Sequence, residues 1–155
     1  MKRSQPFVTI VVAWLTAGIL DITSAFVIAE IKGTGSIRML QGIASGLLGA
    51  RSFEGGLLTA GFGLAVHFFI AFTAAALFYL ISRNFSFVTE HAIVAGLVYG
   101  IVVYLFMYWI VIRLVFPNAH PSLSRDVIAV LVHMFLIGLP IALIVRHFSN
   151  PSSES

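Results

Sequence analysis

Apolar residues along the chain gather into four long stretches, near Phe7–Ala29, Leu57–Ile81, Ala92–Phe116 and Val127–Val145, parted by shorter segments that hold most of the charge. A hydrocarbon core of about 30 Å takes roughly 20 residues of helix at about 1.5 Å each, so each stretch is long enough to cross a bilayer. The pattern predicts an all-α integral membrane bundle of four transmembrane helices.

The ends of these stretches carry local signals. Thr89 and Glu90 are placed to cap and charge the start of the third helix, and Ser124 with Asp126 the start of the fourth. Pro117 and Pro121 predict an extended turn between them, and Pro140 a kink in the fourth helix after Gly138. The tail from Ser149 to Ser155 is polar and expected to be disordered, leaving residues 1–148 as one transmembrane domain.

The first connection, SIRMLQGIASGLLGARSFEGG, is too polar to span and too apolar for an ordinary loop. Ile37, Leu40, Ile43 and Leu47 fall on one helical face, with Arg38, Gln41, Ser45 and Ser52 on the other. Two forms fit: a short amphipathic helix at the headgroup level, or a re-entrant half-helix whose Gly42, Gly46 and Gly49 approach a neighbour.

Composition sharpens this reading. The chain has 155 residues, 59% hydrophobic and 10% charged, with mean hydropathy +1.03, outside the balance of a soluble domain. Lys2 and Arg3 precede the first apolar run as they would in a secretory signal, but the run is too long and holds Asp21, so it reads as a retained helix. The net charge of +3 comes from Lys and Arg scattered at helix ends, which suits anionic headgroups and not nucleic acid. With no cysteine, disulfides, thiolate catalysis and iron–sulfur ligation are excluded. Basic residues divide nearly evenly between the two sides; Lys2 and Arg3 favour cytoplasmic termini.

The candidate chemistry lies inside the membrane. An Asp near a helix centre costs about 2.5 to 3.5 kcal/mol to insert, so Asp21 needs a reason to be there. Counted at about 1.5 Å per residue from the far ends of the antiparallel helices, Asp21 lies roughly 12 Å deep, His67 about 15 Å, Tyr108 about 12 Å and His133 about 10 Å. One polar side chain per helix thus falls in one layer. Asp21 shares a face with Ala17, Gly18, Ser24 and Ala25, and His67 with Ala60, Gly63, Ala71 and Ala74. Small residues of this kind mark helix contact in membranes, so both groups are expected to face inward, and Gly96 with Gly100 forms a further packing pair.

Three readings of the layer stay open: polar glue fixing helix register, a pathway for a proton or small solute, and cofactor ligation. The last takes His67 and His133 as axial ligands of haem b in the space around Gly63 and Ala71, or as metal ligands joined by Asp21. Arg113 reads as snorkelling to the headgroups. His91, His120 and His147 read as solvated, and Trp14, Trp109 and Tyr104 as lipid-facing or packing residues. No catalytic triad, phosphate loop or metalloprotease motif occurs.

At LDITSAFVIAE, LQGIASGLLGARSFEGG and GLAVHFF the sequence resembles an uncharacterised small bacterial four-helix inner-membrane protein family, over about residues 15 to 115. The resemblance implies a bacterial cytoplasmic-membrane location and four helices, and no activity. The expectation is a small, non-catalytic polytopic module for permeation or membrane partnership, in contact with the lipid bilayer and with itself or another membrane protein. The alternative is a bis-histidine haem protein that passes electrons.

Overall fold

The computed structural model describes residues 5–112 and 123–149, and every regular element among them is helical. Helix α1 runs Pro6–Ile31, α2 Ser36–Leu48 and α3 Gly56–Asn84, with a 3-10 turn Gly49–Glu54 before α3. A short α4, Ser86–Glu90, leads into α5, Ala92–Leu105, which continues as a π-helical segment Phe106–Val111. The last span comprises α6 Leu123–Val132, a π-helical segment His133–Gly138 and α7 Leu139–Ser149. Four helices are long and apolar enough to cross a membrane: Pro6–Ile31, Gly56–Asn84, Ala92–Ile110 and Asp126–Ser149. Phe7, Ile19, Val27, Phe69, Leu77, Val98 and Val102 point outward along them, as a lipid-facing surface requires. The expected end of the third helix at Phe116, the turn at Pro117 and Pro121, Arg113, His120 and the tail beyond Ser149 lie outside the described residues.

Small residues hold the spans together. A methyl group on Gly18 would stand 2.8 Å from the Phe68 ring, and one on Gly96 2.8 Å from the Ala142 Cβ. Gly100 faces the backbone at His133 and Met134, and Gly138 faces Gly96 and Gly100, so the third and fourth spans meet backbone to backbone. This close approach replaces the hydrophobic drive that lipid cannot supply. Ala13, Ala17, Ala74, Ala75, Phe78, Ile141, Ala142 and Val145 form the main core, near the ends of the spans that carry Pro6, Asn84 and Ser149. Three side chains tie the layers to backbone. The Trp14 indole donates to the Phe68 carbonyl at 2.7 Å, the Tyr99 hydroxyl to the Ala74 carbonyl at 2.7 Å, and Gln41 Nε2 to the Gly56 carbonyl at 3.1 Å.

Helix α2 forms where its apolar period predicts, but only part of its apolar face docks: Leu40 and Ile43 pack inward. Leu40, Gln41, Ala44 and Ser45 are buried, whereas Ile37 and Leu47 are 50% and 70% exposed. The reason is steric: Gly63 of α3 lets the α2 backbone at Leu40 and Ala44 sit directly against it, which turns Ile37 and Leu47 outward. Its start is capped by Glu30, whose carboxylate accepts from the Ser36 N–H at 2.9 Å and the Ser36 hydroxyl at 2.7 Å. Leu40 meets Ile22 and Ala60 in a second, smaller core.

One local expectation needs correction. Thr89 does not cap the third span; its hydroxyl bonds the Ser86 carbonyl at 2.8 Å within α4, and α5 starts after His91 with no side-chain cap. Ahead of Pro140 the fourth helix changes register. Pro140 offers no N–H to the Leu136 carbonyl and its ring would crowd that carbonyl in an α repeat; the wider π turn over His133–Gly138 makes room.

Candidate functional site

Where the main core ends, the spans part around a cavity of about 70 Å³. Asp21 from α1, His67 from α3 and His133 from the fourth span line it, among Ala17, Ala71, Met107 and Ile137. Each polar side chain reaches it for a local reason. Gly18, one turn before Ile22, lets α3 close on α1, and this brings His67 Nε2 to 3.0 Å from the Gly18 carbonyl. That carbonyl already serves the helix, and its second lone pair takes the imidazole. The other ring nitrogen, Nδ1, then faces Asp21 Oδ2 at 3.8 Å. The two side chains are largely sheltered, 12% exposed for His67 and 20% for Asp21.

His133 opens the π segment of the fourth span. Its Nδ1 lies 2.7 Å from the Ala129 carbonyl, one turn back, and its ring meets the Tyr104 ring edge-on at 5.8 Å between centroids. Both imidazoles therefore lean on backbone carbonyls with one nitrogen each.

Three of the four residues placed in one layer by depth thus share one cavity. The fourth, Tyr108, does not line it: its ring lies against Tyr104, centroids 4.7 Å apart, and Tyr104 stands between it and His133. Tyr104 is buried, not lipid-facing. A signal for it exists in the sequence, since Tyr104 lies one turn from both Gly100 and Tyr108 and so continues the glycine face. Of the four packing glycines, Gly18, Gly96 and Gly100 join spans, while Gly63 receives α2. The space that the haem alternative assigns beside Gly63 is therefore filled by protein, and Ala71 borders a cavity far smaller than a porphyrin. Among the described residues, no group of three histidines or carboxylates is close enough to hold a metal ion. His91 and His147 are exposed.

Comparison with models of protein families, with curated proteins and with solved structures finds no match to this chain.

Proposed function

We propose that this chain is a small, non-catalytic permeation module of the bacterial inner membrane, with both termini in the cytoplasm and the Asp21–His67–His133 cavity as its transit site. One observation carries the reading: three ionisable side chains from three spans converge on a single cavity at membrane depth. Glue needs partners, not space, and interhelical hydrogen bonds in membranes are ordinarily made in close contact. Here the carboxylate and imidazole stand 3.8 Å apart beside a void with room for several waters. Ionisable groups arranged this way mark pathways for ions or protons. The bacterial location rests on the family resemblance, and the orientation on Lys2 and Arg3.

Flux assays on the purified chain in vesicles test this. Wild-type protein should pass at least one of protons, monovalent ions or small neutral solutes, and Asp21→Asn should stop it while leaving the fold intact. Failure of every solute to cross would return the layer to a purely structural role, in which case Asp21→Leu should cost only about 1 to 2 kcal/mol, the scale of one interhelical hydrogen bond.

A further inference from the structure

The geometry points to the proton as the cargo of this site, carried between Asp21, His67 Nδ1 and the free nitrogen of His133; the inference rests on the permeation reading and narrows it. A backbone carbonyl can only accept a hydrogen bond. His67 Nε2, 3.0 Å from the Gly18 carbonyl, and His133 Nδ1, 2.7 Å from the Ala129 carbonyl, therefore both carry hydrogen. Each ring keeps one nitrogen for exchange, Nδ1 in His67 and Nε2 in His133. The anchored nitrogens fix the tautomers, so protonation changes at one known atom of each ring. Among the described residues no other ionisable group lines the cavity: α1 gives Asp21, α3 gives His67, the fourth span gives His133, and the third span contributes Val103 and Met107 to the wall.

The gap of 3.8 Å between His67 Nδ1 and Asp21 Oδ2 exceeds a direct hydrogen bond, and the proposed path joins them through a water standing to one side, in the adjacent cavity. In the transfer the Asp21 O–H bond breaks and its proton passes to that water, while the water gives one of its own protons to His67 Nδ1. A neutral acid and imidazole become a carboxylate and an imidazolium, with no change in total charge. His133 lines the same cavity, and Nε2 is the nitrogen its bond to Ala129 leaves for exchange with that water. Beyond it, the rings of Tyr104 and then Tyr108 continue toward the Val111 end of the third span.

The wall also disfavours larger ions. An alkali ion entering the site must exchange its hydration shell for several oxygens, as the carbonyl rings of selectivity filters allow. Here one carboxylate is set among alanine, valine, isoleucine and methionine side chains, and the Gly18 carbonyl is already taken by His67. A proton needs only the exchange positions that this cavity offers.

Two measurements on the full chain test the inference. In vesicles with an internal pH dye, a potassium gradient and valinomycin to set the potential, wild-type protein should acidify or alkalinise the lumen with the sign of that potential, and without ionophore it should pass neither sodium nor potassium. Asp21→Asn and His67→Gln should bring that signal down to empty-vesicle level. Nitrogen-15 spectra of wild-type imidazoles, which need no variant to fold, should show His67 Nε2 and His133 Nδ1 protonated throughout, with Nδ1 and Nε2 respectively titrating. Sodium or solute flux without proton flux would overturn the inference and leave the permeation reading standing; no flux of any kind would overturn both. Proton flux unchanged in Asp21→Asn, titration at the anchored nitrogens, or stoichiometric zinc binding lost in both variants would each overturn the proton assignment.

Discussion

Glycine positions decide this fold more sharply than the large apolar residues do. Gly61 and Gly63 lie two residues apart in α3, yet a methyl group at Gly61 meets nothing within 4 Å, while one at Gly63 collides with the Leu40 carbonyl. Gly61→Ala should therefore be neutral or stabilise by up to about 1 kcal/mol, from helix propensity alone. Gly63→Ala should destabilise by about 1 to 3 kcal/mol, because the obstacle is backbone that cannot rotate away. Thermal unfolding of the two variants in one detergent checks the pair, and equal effects would mean that α2 does not rest on Gly63. The fine geometry at His67 has the same origin: without a bare Cα at Gly18, the Phe68 ring could not lie where it does, and the neighbouring imidazole would lose its carbonyl.

At the scale of elements, α2 presents Leu40, Gln41, Ala44 and Ser45 inward, and leaves the apolar Ile37 and Leu47 outside. Ile37 and Leu47 on the outer surface suit lipid, whereas Gln41 and Ser45 find backbone partners within the protein. Spin labels at Ile37 and Leu47 should be mobile and accessible to oxygen, and labels at Leu40 and Ala44 immobile, giving a helical period along Ser36–Leu48. Uniform mobility along the segment would show that α2 is not docked. The periodicity of this element was legible in the sequence, but its docking face was not. Hydropathy ranks Leu above Ala, and close approach to a glycine ranks them the other way.

Across the whole molecule, the four spans and the inward set of Asp21 and His67 were legible because hydropathy sets the solvent and small neighbours set the direction. Depth counting also grouped His133 with them, since a π segment alters rise only slightly. What it alters is rotation. Register changes at Phe106 and His133 turn the later residues of both spans, so that Tyr104, not Tyr108, meets His133, and no local composition besides Pro140 announces the change. Four crossings put the termini on one side of the membrane. Reporters fused at Lys2 and at Ser155 should agree, both reading cytoplasm, and disagreement would remove a span.

The Asp21–His67 pair joins the first two spans, whereas His133 arrives with the last. During synthesis Asp21 must enter the bilayer a whole helix ahead of any partner, and the carboxyl is then a burden on insertion. Closing α1 on α3 at Gly18 supplies the imidazole with no contribution from the carboxyl-terminal half. The first two spans thus hold the acid and its imidazole between them, and the last span adds the third ionisable group to that pair.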